Sequence, residues 1–342
     1  NLGNTLPLSA LEDFKYDQSG QHEQEWSYFR NRTNPYFALT RFENNIRDRV
    51  FGNVTANYQV LPWLMAQARV GQDYWSRDQD YNRPSGSAVE GPPTQGFVNG
   101  NYVVDVSWFR ELNADFLLRG NGNVGDFGLD ATVGGNYMRR KLERENTLAS
   151  EFYAYGLYSL QNSPDLSPQY SVSRRGVNSL YGSAEVSFRD LLFLTGTLRN
   201  DWFSTLSPEN WSILYPSIST SFVFSDALPM PSWLDFGKIR AAYAEVGSDT
   251  DVAPYSNVLF YSINQNRFNG YALGGIAGGV PNPLLKPMRL KEWEIGTELS
   301  VLDRVRLDLG YYHRVAEDQI LSQDISTASG FGSRQVNVGE TM

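Results

Sequence analysis

The chain has 342 residues, a net charge of −9 and no cysteine. The missing cysteine excludes disulfides, thiolate metal sites and a cysteine nucleophile, and the acidic balance argues against a nucleic-acid partner, because phosphate binding needs a basic surface. No run approaches the roughly 20 apolar residues of a spanning helix, which excludes a helical membrane protein but not a membrane barrel, whose alternating strands average out to polar.

The predicted elements are strands along most of the chain. Apolar and polar residues alternate clearly in four segments along the chain: 53–60, 127–137, 180–189 and 292–301. Alternation with a period of two puts successive side chains on opposite faces of a strand. No segment keeps a helical period over three turns, so we predict an all-β protein.

The stretch RVRLDLGYYHR, residues 304–314, shows the two faces most clearly. One face carries Val305, Leu307 and Leu309. The other carries three charged residues: Arg304, Arg306 and Asp308. A soluble sandwich would bury the apolar face, whereas a membrane barrel would turn it towards lipid and line its lumen with the charged one.

Short and long connections alternate between the predicted strands. Short turns are predicted at four places: Leu61–Pro62, residues 121–126, Arg189–Asp190 and Asp303. Long polar connections rich in Gly, Pro, Asn and Ser cover three segments, at about 76–100, 159–175 and 247–289. Outer-membrane barrels have short periplasmic turns and long extracellular loops, so this alternation favours a barrel.

Strand length and aromatic residues favour the same architecture. Residues 176–189 and 191–206 form runs of about 14 residues, against about 5–6 for a usual strand, and a tilted spanning strand needs about 9–11. The apolar set that starts at Leu192 and includes Leu198 ends in Trp202, which is typical of a lipid-facing band with an aromatic girdle. The opposite set would face a polar lumen: Thr195, Thr197, Arg199 and Asp201. We therefore predict an antiparallel transmembrane β-barrel.

Five blocks of the sequence carry a family resemblance. They are ELNADFLLRGNGNVGDFGLDATVGGNY (111–137), SLYGSAEVSFRDLLFLTGTLRNDWFSTLSPENWSILYPSISTSFVFS (179–225), WLDFGKIRAAYAEVGSDT (233–250), LLKPMRLKEWEIGTELSVLDRVRLDLGYYHRVAEDQIL (284–321) and SGFGSRQVNVGE (329–340). In this order they resemble the barrel of the SusC/RagA family of TonB-linked outer-membrane transporters of Bacteroidetes-type bacteria. The resemblance covers roughly residue 50 to the end, and the long loops match little.

The resemblance implies a 22-stranded barrel with an N-terminal plug, a SusD-like surface lipoprotein as partner, and energy from the TonB complex. Residues 1–342 would be a partial barrel of about twelve to fourteen strands. The plug and the TonB box are expected upstream of Asn1, since the chain starts with neither Met nor a signal peptide. The implied function is active import of an oligosaccharide or peptide across the outer membrane, with no cofactor and no catalysis.

Several residues that suggest chemistry have a simpler interpretation. The spacing of Asp78, Asp80 and Asn82 matches the first ligand positions of an EF-hand calcium loop. However, Arg83 and Val89 stand at the positions where an EF-hand needs Gly and Glu. We expect a solvated polar loop there, and expect the same of the acidic segment GSDTD (247–251). The Gly-rich segment GGIAGG (274–279) lacks the strand and helix of a phosphate loop, and His313 is expected in the girdle.

Two sets of residues are the functional candidates. The first would line the lumen, with Glu292, Glu294 and Glu298 paired to Arg304 and Arg306 on the next strand, and it also includes Asp308, Arg199 and Asp201. The second would contact substrate, because aromatic faces stack on sugar rings or peptide side chains. Its members lie in or near the long loops: Tyr74, Trp75, Tyr81, Tyr153, Tyr155, Tyr255, Tyr261 and Tyr271.

Other functions stay open at this stage. A passive porin-like channel would need no plug. An outer-membrane enzyme would need converging catalytic residues at the rim, and the sequence offers no such set, while an adhesin or binding protein would need only the loops. A soluble β-sandwich binding module would bury the apolar face, and the protein would then fold without detergent.

Overall fold

The computed structural model describes residue 9 and residues 35–84, 100–249, 252–276 and 278–341. Within these residues are two one-turn helices, α1 (Pro35–Ala38) and α2 (Phe224–Ala227), two 3-10 turns and 14 strands. The strands are β1 Glu43–Leu61, β2 Leu64–Arg83, β3 Asn101–Val124, β4 Phe127–Ser150, β5 Asp165–Phe188, β6 Leu192–Phe203, β7 Ser212–Val223, β8 Leu234–Ser248, β9 Tyr261–Phe268, β10 Tyr271–Ile276, β11 Gly279–Val280, β12 Met288–Val301, β13 Val305–Asp324 and β14 Ser333–Thr341. Among the described residues, no helix is long and apolar enough to cross a membrane.

Twelve of these strands form one sheet in the order β1-β2-β3-β4-β5-β6-β7-β8-β12-β13-β14-β11. Strands β5 to β8 and β12 to β14 pair antiparallel with their neighbours. The short β11 instead runs parallel to β14, and β9 and β10 form a separate hairpin. The prediction of an all-β, antiparallel architecture is confirmed.

Tight turns join the long strands at one end of the sheet. The turn at Arg189–Asp190 is confirmed, and so is the turn at Asp303. In both turns two consecutive residues have positive φ, between 52° and 56°, as the tightest hairpin turns require. Each turn bonds the connection next to it: the backbone N–H of Arg189 donates to the carbonyl oxygen of Asp126 after β3 at 2.8 Å, and that of Leu302 donates to the carbonyl oxygen of Trp233 before β8 at 2.9 Å.

Two predicted turns have different bounds. The first lies at Pro62–Trp63, because β1 continues through Leu61. The Gly-Asn-rich segment 121–126 is mostly strand: β3 continues to Val124, and only Gly125 and Asp126 form the turn. Gly125 has φ +60°, which explains why the chain reverses there and not earlier.

The long connections are shorter or more structured than predicted. The connection expected from residue 76 starts later, because β2 continues to Arg83, and residues 85–99 lie outside the described residues. The connection expected at 159–175 is half strand, because β5 starts at Asp165. The segment 247–289 contains the β9–β10 hairpin and β11.

The described chain divides into two compact units that both contain parts of the long strands. Unit 1 comprises residues 1–51, 73–110 and 141–173, and unit 2 comprises residues 52–72, 111–140 and 174–342. In unit 1, Tyr158 packs edge-on against Phe42 and Phe152, with ring centroids 5.5 and 5.7 Å apart. Buried Asn162 holds the connection after β4 by bonding the backbone of Ala154 and Leu157.

In unit 2, one face of the sheet is apolar and exposed; we call it the apolar face. Its cross-strand neighbours are apolar as well, as Val186 opposite Leu194 and Leu299 opposite Leu307 show. Leu309 on this face is 59% exposed. A water-soluble sheet would cover such a face, because contiguous exposed apolar patches are rare in soluble monomers.

Aromatic and then charged residues end the apolar face on the side away from the tight turns. On β12 the apolar positions extend from Val301 to Trp293, and the ring of Trp293 packs on Tyr311 and His313 at 5.3 and 5.9 Å. Beyond them, Arg289 pairs with Glu245 at 2.8 Å. An apolar band, then an aromatic girdle, then a hydrated charged rim is the order expected along a strand that crosses a membrane.

Candidate functional site

The opposite face of unit 2, which we call the polar face, carries a three-residue charge network centred on Arg240. The guanidinium of Arg240 on β8 lies 3.2 Å from Glu294 on β12 and 3.0 Å from Asp308 on β13. Gly296 stands opposite Arg240 in the strand register, and Gly310 on β13 stands opposite Gly296. A Cβ at Gly296 would lie 2.9 Å from Arg240 Nε, so the missing side chain is what lets the guanidinium reach both carboxylates.

The other predicted lumen-lining glutamates also have basic partners, but not the predicted ones. Glu292 pairs with Arg314 at 2.5 Å, and Glu298 pairs with Lys238 at 3.8 Å. Both partners stand directly opposite in the strand register, where side chains approach most closely. The pairing predicted with Arg304 and Arg306 was wrong, because Arg304 lies in the tight turn and Arg306 stands opposite Ser300.

The polar face continues along β5 to β7. Arg199 donates to Asp201 at 2.9 Å and to the hydroxyl of Ser179 at 2.8 Å, so the predicted candidates Arg199 and Asp201 contact each other. The hydroxyls of Thr197 and Ser217 are 2.5 Å apart. Acidic and basic side chains thus alternate along the face, and pairs of this exposure contribute little to stability in water. Their effect is a hydrophilic surface without a large net charge.

A small apolar cluster covers part of the polar face at the long-loop end. Val252 and Leu285, from the two ends of the segment between β8 and β12, are 3% and 2% exposed. They belong to one buried cluster with residues of β5, β6, β7, β13 and the connection between β6 and β7: Val177, Phe203, Leu206, Ile213, Tyr215 and Ile320. The ends of this long segment are therefore packed as a core.

Asp249 anchors the start of the same segment. Its side chain is fully buried and accepts from Arg175 on β5 and from the hydroxyl of Thr205. The solvated polar loop expected at residues 247–251 was therefore wrong for Asp249, which is 0% exposed, and Asp251 lies outside the described residues. A buried carboxylate with a charged donor is expensive to separate, so this contact fixes where the segment leaves β8.

Between these anchors, the β9–β10 hairpin exposes apolar side chains. Tyr261 and Tyr271 are 72% and 77% exposed, and Ile263 and Phe268 are similarly open. Tyr255 lies just before the hairpin, also exposed, with a φ of 67°. Tyr261 and Tyr271 thus lie at opposite ends of one exposed hairpin, and Tyr255 lies in the connection before it.

The candidates of unit 1 are less uniform. Tyr74, Trp75 and Tyr81 lie within β2 and not in a loop, and neighbours along a strand point to opposite faces, so Tyr74 and Trp75 do not share a surface. Trp75 stacks on Phe109 with ring centroids 5.4 Å apart. Tyr153 and Tyr155 lie in the connection between β4 and β5 and are exposed.

Unit 1 also contains a buried acidic centre that the sequence did not reveal. Asp105 is fully buried and accepts from Arg144 Nε at 2.6 Å, Asn146 at 3.1 Å and Ser107 at 3.1 Å. Burial alone would raise the pKa of Asp105, but the hydrogen bonds, led by that of Arg144, outweigh it and leave the pKa below its ordinary value. Asp105 stands 19 residues from the turn end of β3 at Val124, beyond the about 9–11 residues that cross a bilayer.

Asp78 and Asp80, which were expected in a solvated polar loop, lie instead within β2, and internal hydrogen bonds hold this segment. Asp80 accepts from Asn44 and from the hydroxyl of Tyr102, both at 3.2 Å, and Asn82 bonds the backbone of Phe42 and Thr40. In the described part of the chain, no group of three or more His, Asp or Glu side chains is arranged to hold a metal ion.

Comparisons with known proteins agree with this two-faced sheet. A family model described as TonB dependent receptor-like, beta-barrel matches residues 2–342. Among solved structures, the RagAB peptide transporter superposes with a TM-score of 0.79 at 18% identity, over 95% of this chain and 37% of that chain. The RagAB peptide importer in its 'closed-closed' state gives the same TM-score and identity over 95% and 36%.

A siderophore receptor is more distant. PiuA from Acinetobacter baumannii has a TM-score of 0.52 at 14% identity, over 89% of this chain and 46% of that chain. The chain thus spans less than half the length of these three structures. At these identities the similarity concerns the fold alone. A search of curated protein sequences finds no match.

Proposed function

The chain belongs to the family of TonB-dependent receptor-like β-barrels, and on this premise we propose that it forms part of an active importer of large nutrients. The family is one of the outer membrane, so the localisation predicted from the sequence is confirmed. In the proposed mechanism, a peptide or oligosaccharide binds at the long-loop end, passes along the polar face, and is released inwards by energy from the TonB complex. The protein itself breaks and forms no covalent bond.

The two-faced sheet of unit 2 carries this proposal. The apolar face suits lipid, and the polar face, with its paired charges around Arg240, suits a hydrated route. Because the charges are balanced, neither a cationic nor an anionic substrate would be trapped on the wall by one dominant sign of potential. Glu292, Glu294, Glu298, Arg306, Asp308, Arg199 and Asp201 are proposed to line that route.

The hairpin β9–β10 is proposed to make the first contact with the substrate. It exposes aliphatic Ile263 and Leu273 beside Tyr261 and Tyr271, a mixture that suits the apolar side chains of a peptide better than the flat faces of sugar rings. The RagAB structures are of a peptide transporter, which supports a peptide as substrate. By the same resemblance, a SusD-like surface lipoprotein is the proposed partner that encloses the substrate at this end.

The test is an uptake assay on a variant that lacks the hairpin. Replacing residues 259–276 by a short Gly-Ser linker keeps Val252 and Leu285, which the buried cluster needs, so assembly should be unchanged. We expect uptake of labelled peptides to fall to background. Leu228→Ser serves as a control, because Leu228 is also an exposed apolar residue but lies at the tight-turn end.

Two results would contradict the proposal. Normal peptide uptake by the hairpin deletion would remove the hairpin from the substrate path. Uptake that continues after the proton-motive force is collapsed would indicate a passive channel, since TonB-driven transport needs that energy. Uptake of oligosaccharides but not of peptides would assign the other substrate class.

A further inference from the structure

The apolar face of unit 2 has a depression of about 490 Å³ across β7, β8, β12 and β13. Two rows of cross-strand neighbours build it. In the first row Thr220, Ala241, Ile295 and Tyr311 follow each other across the four strands. The small side chains of Thr220 and Ala241 stand beside the larger Ile295 and Tyr311, so the surface is low at β7 and β8.

The second row makes the far side of the depression. Phe222, Ile239, Thr297 and Leu309 follow each other across the same strands. Thr297 is the small member of this row, so the low part of the surface shifts from β8 to β12. The volume of the depression, about 490 Å³, is within the range of about 300–1,000 Å³ that small-ligand sites occupy.

Both threonines turn their polar atoms away from the depression. The hydroxyl of Thr220 donates to the backbone carbonyl of Phe193 at 3.0 Å, and that of Thr297 donates to the carbonyl of Lys238 at 3.1 Å. Each threonine therefore presents its methyl group. Most of the lining is therefore carbon, and a hydrocarbon in the depression would leave neither threonine hydroxyl unsatisfied.

The depression lies at the middle of the membrane band. Thr297 is four residues from Val301 at the tight-turn end and four from Trp293 at the girdle. Lipid covers the apolar face at this height, so the occupant is a lipid chain. Past Trp293, the same face of β12 carries Lys291 and Arg289, both about two-thirds buried and bonded to Glu317 and Glu245.

The two basic residues indicate from which side the chain enters. Lysine has three N–H donors and arginine has five, so each can still bond a phosphate beside its carboxylate. They lie towards the long loops, the outer side of such barrels. We propose that the depression holds an acyl chain of a phosphorylated outer-leaflet lipid, lipopolysaccharide, whose phosphate is bound by Lys291 and Arg289.

The test compares two phenylalanine variants of the full-length protein. Ala241→Phe fills the depression, and Ala184→Phe makes the same change elsewhere on the apolar face, opposite Gly196. Both proteins are stripped of lipid in detergent, exposed to vesicles of phosphatidylethanolamine with or without lipopolysaccharide, and re-extracted. Native mass spectrometry then counts the retained lipid molecules, and a heat-modifiability gel shows that each variant is assembled.

We expect the wild type and Ala184→Phe to retain lipopolysaccharide. Ala241→Phe should retain about tenfold less, because roughly ten carbon contacts are lost. Equal retention by the two variants would overturn the site. Retention of phosphatidylethanolamine in preference to lipopolysaccharide would overturn the outer-leaflet assignment. Should Ala241→Phe fail to assemble, Thr297→Leu fills the same depression from β12 and gives the same readout.

Discussion

Placing arginine at Leu309 tests the orientation of the whole sheet. Leu309 is 59% exposed on the apolar face of β13, and four residues separate it from Val305 at the turn and four from His313 at the girdle. Eight steps of about 3.4 Å along a strand tilted by about 40° rise roughly 21 Å, close to the about 25 Å apolar band of such barrels. Leu309 is therefore near the bilayer midplane.

The expected cost follows from that depth. An arginine on the lipid face costs about 2–4 kcal/mol at the midplane and about 0–1 kcal/mol near the interfaces. Leu309→Arg should therefore shift the folding equilibrium by a factor of about 30 to about 700, at about 1.4 kcal/mol per tenfold change. Leu307→Arg, only two residues from the turn end of β13, should cost less.

Adjacent residues on β6 provide the matched control. Leu198 lies on the apolar face, whereas Thr197 faces Ser217 on the polar face at the same depth. Leu198→Arg should destabilise clearly and Thr197→Arg should cost less than about 1 kcal/mol. Urea unfolding from lipid vesicles, followed by tryptophan fluorescence, measures all four variants. Equal tolerance of arginine at Leu309 and Thr197 would refute the assignment of the faces.

Three further predictions concern the polar contacts. Gly296→Val should lower the unfolding midpoint in urea, because its side chain displaces the guanidinium of Arg240. In an Arg240→Ala background the same change should cost much less, and additive effects would contradict the contact. Asp249→Asn should loosen the segment before the hairpin by about 1–3 kcal/mol, the cost of an unsatisfied buried donor; proteolysis that is no faster at this segment would refute the anchor. Asp105→Asn should lower the melting temperature at pH 7. The pKa of Asp105 is depressed in the folded state, so its contribution to stability is present above the ordinary Asp pKa of about 3.9 and is lost as the pH falls through the folded value. The melting temperatures of variant and wild type should therefore converge at low pH. A difference between them that stays constant with pH would contradict this role of Asp105.

Much of the architecture could be read from residue order alone. Alternation with a period of two is a local property of the chain, so the apolar and charged sets around Val305 and Arg306 were separated correctly. Turn chemistry is also local, and Arg189–Asp190 was identified because the residues on both sides change their pattern there. The long strands and the aromatic ends then predicted a membrane barrel, which the family match confirms.

Strand ends were less predictable, because they depend on partners. The segment 121–126 is rich in Gly and Asn and therefore favours a loop locally, yet β3 continues to Val124 because a neighbouring strand pairs with it. The same reason explains why β5 starts at Asp165 and not after Arg175. Ladder hydrogen bonds to a neighbour overrode weak local preferences in both cases.

The sequence by itself determined which residues share a face, because a strand alternates its side chains whatever its neighbours are. Only the tertiary structure decided which charges meet. Glu298 pairs with Lys238 and Glu294 with Arg240 because β12 lies beside β8, after a long excursion of the chain between them. The same pairing of distant strands created the depression beside Ala241, and the contact of Asp249 with Arg175 on β5 and Thr205 after β6 joins segments similarly far apart in the chain. A pairwise register between segments so far apart is set by the packing of the whole sheet, and no local pattern encodes it.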